Sequence, residues 1–526
     1  MTRSIVEENP SQRQGALFPL VAAGFYLALC WVCWVQIRKL DQGHFTYALD
    51  DPYIHLALSE GIAHGHYGIN TNEFSSPSSS LIWPFLLAPF ARFSWQLYVP
   101  LALNILAGIA AAVLAGSLVA RWPYTPDTLS SGAVERSRRV LSAAALVFVG
   151  NLVGLTYIGM EHTLQVFLAG AGAWAIIACL RGRPIPTWCL LCVALGPMVR
   201  YENLGISAAV AIALVGQRQT QRAVGLLSAS IAPLLMFSVY LHHLGLPWLP
   251  TSVLVKGQMA QAGTGIFSRA LQFGTDDLYE TFTERHRMLV AILFLTLAAI
   301  AWNEKVRERR YALWGATVAA GLHLLVGRFH WFHRYEVYIV FFSALVILEV
   351  VHERPRGLLG WYGLGLLGCS YLYLQAFHDV PHSASQVYRE EYQMHRFVTE
   401  FYTGNVAVND LGLVSFQRRP GTYVLDLWGL ASVDSARQRD KSTAWLDKTV
   451  RAHDVGLVMD YPLWFGAAPN DWTPLGQVCI NEAPIALGDM CVAYYATPLA
   501  NVGQLEEEFD AFVSTLPPGV SVRRPD

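Results

Sequence analysis

Long apolar runs broken by short arginine-bearing loops fill the chain up to about residue 376, and shorter apolar runs of about 5–8 residues replace them afterwards. A bilayer core roughly 30 Å thick needs about 20 apolar residues per helix. About eleven runs approach that length, near 17–37, 97–120, 140–158, 163–180, 185–199, 203–216, 223–241, 287–302, 311–327, 336–351 and 357–376. The loops between them orient the spans. Arg121 with Arg136, Arg138 and Arg139, then Arg181 and Arg183, Arg218 and Arg222, Lys305 through Arg310, and Arg354 with Arg356 all fall on one side if the spans alternate. Short cytoplasmic loops carry the excess of Lys and Arg. The N-terminal tail is therefore expected inside, and segments 41–96, 158–162, 200–203, 242–286 and 328–335 outside. Arg38 and Lys39 are the exceptions near a span.

Two segments need separate treatment. Leu81 to Arg92 is apolar but too short to cross, and Pro84 and Pro89 interrupt its helical ladder, so it reads as a re-entrant or interfacial helix. Leu17 to Ile37 is too long for a signal-peptide core and lacks a clear cleavage site, so it reads as a retained span.

Beyond Ala376 charged residues return. Tyr388 to Tyr402 has the spacing of an amphipathic helix, and Val406 to Val408, Tyr423 to Trp428 and Val455 to Met459 read as buried strands. The expected fold is a polytopic α-helical membrane domain (1–380) whose first outer loop is 41–96, followed by a soluble α/β domain (381–526). An odd number of spans puts that domain outside, in the periplasm of a bacterial inner membrane.

Composition agrees with this reading. Of 526 residues, 53% are hydrophobic and 14% charged, against about 25% charged in soluble domains, and mean hydropathy is +0.34. A net charge of −2 leaves no basic excess for nucleic acid. Six of the eight cysteines, Cys30, Cys33, Cys179, Cys189, Cys192 and Cys369, lie in or beside apolar spans, where a small soft side chain packs easily. Cys479 and Cys491 are the pair in the soluble domain, and an oxidising compartment would allow them to bond.

Ionisable residues near the ends of membrane helices are costly and tend to be functional. The first outer segment holds Asp50, Asp51 and His55, with Pro52 placed for a first helical turn and Asp51 for its N-cap. The plain alternative is that both carboxylates merely cap this helix. Glu161 and His162 stand at the next outer end, Arg200 and Glu202 at another, and Lys256 follows the Trp248-Leu249-Pro250 turn. The run from Arg328 through Glu336, with His330, Arg334 and Tyr335, is dense in cations and aromatics and suits a phosphate. It would equally serve as an aromatic, basic interface belt. Carboxylates and cations on one outer face suit transfer chemistry on a lipid phosphate, the carboxylate orienting a hydroxyl and the cations stabilising the departing phosphate.

These residues resemble a known family. Asp50-Asp51-Pro-Tyr-Ile-His through Gly65-His-Tyr, Ser75-Ser-Pro-Ser-Ser-Ser, Leu81-Ile-Trp-Pro, Gly159-Met-Glu-His, Arg200-Tyr-Glu, Trp248-Leu-Pro with Lys256, Val408-Asn-Asp-Leu-Gly and Leu425-Asp-Leu-Trp-Gly-Leu occur in an order similar to GT-C fold glycosyltransferases that use polyprenyl-phosphate sugars. The likeness is strongest to the bacterial arabinofuranosyl- and mannosyltransferase branch. It implies transfer of one sugar, with inversion, from a polyprenyl phosphate to a hydroxyl of a lipid, glycan or protein in the periplasm. It places Asp50 as catalytic base or acceptor-orienting group, Asp51 as the neighbouring acid, and Glu161 at the second acidic position. Arg200, Lys256, His330 and Arg334 are the candidates for the donor phosphate. His55, His162, Glu202 and Tyr335 are those for acceptor binding or orientation.

A divalent cation (Mg, Mn or Ca) on Asp50 and Asp51 is plausible because paired carboxylates and an anionic donor attract one. No nucleotide-binding loop occurs, so no nucleotide cofactor is expected. The chain departs from the aminoarabinose and hexose branches, where a Lys beside a Pro pair stands in place of Ser76-Pro77-Ser78-Ser79-Ser80. The competing readings are a lipid or polysaccharide transporter and a non-catalytic envelope assembly protein.

Overall fold

The computed structural model describes residues 10–122, 132–256, 284–329, 331–352, 356–438, 441–462, 464–465 and 467–525. His330 and the side chain of Lys256 lie outside the described residues. Six helices are long and apolar enough to cross a membrane: Leu17–Leu40, Gln96–Ala120, Arg136–Ile158, His162–Leu180, Thr220–His243 and Arg285–Asn303. Three more, Thr187–Val199, Tyr201–Gly216 and Val337–His352, are apolar but shorter. The expected runs at 311–327 and 357–376 are helical, within Arg307–Val326 and Arg356–Arg389, without meeting the same length and composition test among the described residues. The chain is thus a multi-pass helical membrane protein by length and composition, with six such helices among the described residues against about eleven expected spans.

The bundle packs through small residues, as lipid-embedded helices do when burial alone gives no drive. At Gly116 a Cβ would lie 2.6 Å from the Phe18 carbonyl oxygen, so the helix Val99–Ala120 can approach Pro10–Leu40 only because that position is glycine. Trp83–Leu87 is a five-residue helix followed by a 3₁₀ turn at Ala88–Phe90, the broken apolar element that the two prolines demand.

The C-terminal domain is a six-stranded sheet in the order β2-β1-β3-β5-β4-β6, with β1 Asn405–Val408, β2 Val424–Asp426, β3 Val455–Asp460, β4 Thr473–Ile480, β5 Cys491–Ala496 and β6 Val520–Arg523. β2, β1 and β3 are parallel, and the other pairings are antiparallel. β3 is buried along its whole length because helices cover both faces of the parallel part. The single helix expected over 388–402 is instead broken at Glu390, into Glu391–Arg396 and a π turn at Phe397–Phe401. Cys479 and Cys491, directly opposite on β4 and β5, form a disulfide.

The helix Asp51–Ala63 joins the two parts. Tyr53 and Leu56 belong to the core of the bundle, whereas Ile54 and Ala57 belong to the core of the sheet domain, beside Met394, Phe397, Leu411 and Val414. One short helix is therefore a shared wall, and the sheet domain is docked on the bundle rather than tethered beside it.

Gly116→Leu is expected to overpack the Phe18 contact and lower stability by about 1–3 kcal/mol. A thermal unfolding scan in detergent checks this, and an unchanged midpoint would contradict the helix pairing.

Candidate functional site

Asp50 precedes the helix Asp51–Ala63, yet its carboxylate does not cap that helix. It accepts from the backbone amides of Gly412 and Leu413, at 2.6 and 2.7 Å. Those amides open the helix Gly412–Ser415, so Asp50 caps a helix of the other domain. A Cβ on residue 412 would meet the Asp50 carbonyl oxygen at 2.2 Å, which explains glycine there. Asp51 was expected as N-cap. It is instead the first helical residue, and its Oδ2 pairs with Arg334 Nη2 at 2.6 Å. The alternative in which both acids cap their own helix is thereby overturned.

Arg334 is 1% exposed and also donates to the Met160 sulfur at 2.8 Å and to the Tyr335 hydroxyl at 3.1 Å. The Tyr335 ring in turn faces three guanidinium groups: Arg334 at 5.0 Å, Arg328 at 5.1 Å and Arg200 at 5.5 Å. Such contacts let one apolar ring hold cations together by its quadrupole.

Arg200 belongs to a second, largely buried network. It binds Glu202 through two hydrogen bonds of 2.6 and 3.2 Å, Glu161 at 3.1 Å and the Ser79 hydroxyl at 2.8 Å. His55 Nε2 lies 3.6 Å from the other Glu161 oxygen, and its Nδ1 lies 3.0 Å from the Ser78 hydroxyl. Ser76 holds Thr251. His162 bonds Gln165 at 3.2 Å and lies edge-on to Tyr335. The serine run is thus spent on fixing the first outer segment, and Arg200 is balanced by two carboxylates.

Between the bundle and the sheet domain lies a cavity of about 350 Å³. Asp50, Asp51, Glu391 and Asp410 supply its acids, Arg328 and Arg334 its cations, and Trp331, Tyr335, Trp428 and Trp464 its aromatic walls. Glu161, Arg200, Glu202, His55 and His162 do not line it. Arg328 is exposed, and among the described residues no carboxylate pairs with it.

The sheet explains why these groups converge. Asp410 follows β1, Trp428 follows β2 and Trp464 follows β3. The cavity therefore sits at the carboxyl ends of the three parallel strands, where open α/β sheets bind ligands. Asp410, Trp331 and Trp428 fall within motifs marked in the sequence but carried no assigned role, and neither Glu391 nor Trp464 was marked as a candidate. The usable signal was the strand-end position of Asn409-Asp410 after a buried run.

Acids outnumber cations here, and their ionisation reflects it. Burial first, and then the charges of Asp50, Asp51 and Asp426, push the Asp410 carboxyl up to about 8. Burial and the neighbouring acids also raise Glu391 and Glu390 well above the usual carboxyl range. Glu390 accepts from the Tyr461 hydroxyl.

Each Asp50 oxygen accepts from a backbone amide and Asp51 Oδ2 pairs with a guanidinium, so both carboxylates expected to hold a divalent cation already have positive partners.

Residues 383–495 match a family described as a domain of unknown function, DUF8728. The match spans Glu391, Asp410, Trp428 and Trp464 but not the bundle side of the cavity. No curated protein matches the chain.

Asp50→Ala would leave two amides without their acceptor, at a cost of about 1–3 kcal/mol each. Asp50→Asn keeps one acceptor oxygen and is expected to lose less. Thermal unfolding with limited trypsin digestion across the domain junction reads the difference, and equal stability of all three proteins would refute the clamp.

Proposed function

We propose that the protein is an integral membrane glycosyltransferase that moves a single sugar from a polyprenyl phosphate to a hydroxyl acceptor, as its sequence motifs imply. The observation that supports this most is the single cavity in which carboxylates, two arginines and tryptophan faces meet beside a membrane bundle. Arg328 and Arg334 suit the donor phosphate, one exposed, the other fixed by Asp51. Flat indole faces suit the C–H faces of a pyranose or furanose ring.

In the reaction the acceptor oxygen bonds to the anomeric carbon while the bond from that carbon to the phosphate oxygen breaks. The departing polyprenyl phosphate takes the electron pair, and the two guanidinium groups stabilise its added charge. The hydroxyl proton goes to Asp410, whose raised affinity for a proton near neutral pH is what a general base needs. Asp50, with both oxygens engaged, acts as a positioning residue that sets Asp410 against the bundle through Gly412. Glu161 and Glu202 neutralise Arg200 outside the cavity lining and hold the helix ends there together.

A disulfide between Cys479 and Cys491 supports an extracytoplasmic, oxidising location for the sheet domain, and the arginine-rich loops support a cytoplasmic location for the opposite end. A transport path would place charges at the bilayer midplane. Here Arg181, Glu349, Arg200 and Arg287 each lie within a turn of a helix end, which favours surface chemistry.

The test is transfer in proteoliposomes from a panel of polyprenyl-phosphate pentoses and hexoses. One donor is expected to be consumed, and Asp410→Asn to lower the rate by about 10²–10⁴-fold. Because the carboxylate is the active form, the native rate should climb as pH rises toward about 8, and this limb should vanish in the variant. No donor consumed, or a rate unaffected by Asp410→Asn, would contradict the assignment.

A further inference from the structure

A second cluster lies on the bundle side of the segment that carries Trp331, Arg334 and Tyr335. His333 Nδ1 is 3.0 Å from His286 Nε2, and His286 Nδ1 is 2.8 Å from Glu336 Oε1. One donor atom from each of these three residues can be chosen so that all lie within 4.8 Å of one another. His286 and Glu336 are buried, and the Tyr373 hydroxyl donates to Glu336 at 3.4 Å. None of the three lines the cavity described above.

We propose that His286, His333 and Glu336 form a site for a zinc-class divalent metal ion that fixes the segment preceding the helix Val337–His352. The donor set argues for the class of ion. Two imidazoles and one carboxylate suit zinc and its first-row neighbours, whereas magnesium and calcium select oxygen ligands. Ligand bonds of about 2.0–2.2 Å put the donors of a tetrahedral ion roughly 3.3–3.5 Å apart. His286 can give an ion only one of its two ring nitrogens, and with one donor atom from each residue the set lies within 4.8 Å, so closing it around an ion draws the side chains together by roughly 1 Å.

The backbone gives a reason for such a clamp. Trp331, Phe332 and His333 are consecutive non-glycine residues with φ of 43°, 59° and 53°. Each left-handed residue costs roughly 1–2 kcal/mol, and strain of this kind persists only where surrounding contacts fix it. Asn151, itself left-handed at φ 42°, donates to the His333 carbonyl at 3.0 Å and holds one side of the turn. Metal bonds to His333 and Glu336 would hold the other side, against the first turn of Arg285–Asn303. The same turn aims Trp331 and Arg334 into the cavity, so the ion would act as a structural fastener two or three residues from the ligand-binding side chains. The site uses none of the acids assigned to sugar transfer and stands independently of that reading.

The experiment uses the full-length protein in detergent. Metal content is read by mass spectrometry after purification without chelators, and the chelator-stripped protein is titrated with Zn²⁺ by calorimetry and with Co²⁺ by visible absorption. One ion per chain, visible bands of a tetrahedral Co²⁺ complex, and a higher unfolding midpoint on adding Zn²⁺ are expected for the native protein. His333→Ala and Glu336→Gln are expected to weaken binding by at least the roughly 10–100-fold that loss of an outer-shell partner costs. Native protein that takes up no stoichiometric Zn²⁺ overturns the proposal without recourse to any variant, and leaves the three residues as a hydrogen-bonded relay. Equal Zn²⁺ affinity in native protein and both folded variants overturns it as well, by placing the ion elsewhere.

Discussion

The Asp50 carboxylate, held by the amides of Gly412 and Leu413, is the contact on which the arrangement of the molecule depends. It joins residues 362 and 363 positions apart in sequence, and it does so at the start of the helix that both cores share. Remove that registration and β1 no longer has a fixed position over the bundle, so Asp410 loses its place opposite Arg328 and Arg334. Hydrophobic burial of Ile54 and Ala57 supplies adhesion between the domains, but burial is not directional. The two short charge-assisted hydrogen bonds supply the direction.

Charge is distributed unequally between two neighbouring networks, and this separates structural groups from reactive ones. Arg200 meets two carboxylates and a serine in a site without access to the cavity, so its charge is spent on holding the helix ends. Arg334 meets one carboxylate, and Arg328 is an exposed residue of the cavity lining. Tyr335 lies against all three and couples the networks mechanically. On the cavity side the acids exceed the cations, which raises the proton affinity of Asp410 and Glu391. Under the proposed function an anionic donor would bring its charge to the arginines and keep its neutral sugar near the acids, which would fix its orientation.

Much of the bundle was legible in the sequence because a membrane span announces itself by length and apolarity alone, as at Leu17–Leu40 or Thr220–His243. The 13- to 16-residue apolar helices were legible as helices, though their length is set by packing against neighbours rather than by the bilayer. Buried strands at 405–408 and 455–460 stood out as continuous apolar runs. Asp51, Arg334 and Tyr335 were each marked in the sequence under separate expected roles, since charges near helix ends are costly without partners, and the structure brings them into contact. Their pairing was not legible, because the Asp51 contact with Arg334 spans 283 residues and no local spacing encodes it. Glu391 was hidden for a different reason: on an amphipathic helix it looks like any solvated acid, and only docking of the sheet on the bundle buries it. Arg200 and Glu161 illustrate the converse, since outer-end charges that looked available for a ligand satisfy each other.

The most direct test of the central claim, that the cavity between bundle and sheet receives the donor, is a structure in nanodiscs with a polyprenyl-phosphate sugar bound. The account predicts phosphate density against Arg328 and Arg334, with the sugar over Trp331, Trp428 or Trp464 and its reacting carbon facing Asp410. Donor density elsewhere on the bundle, with this cavity filled only by water, would contradict it.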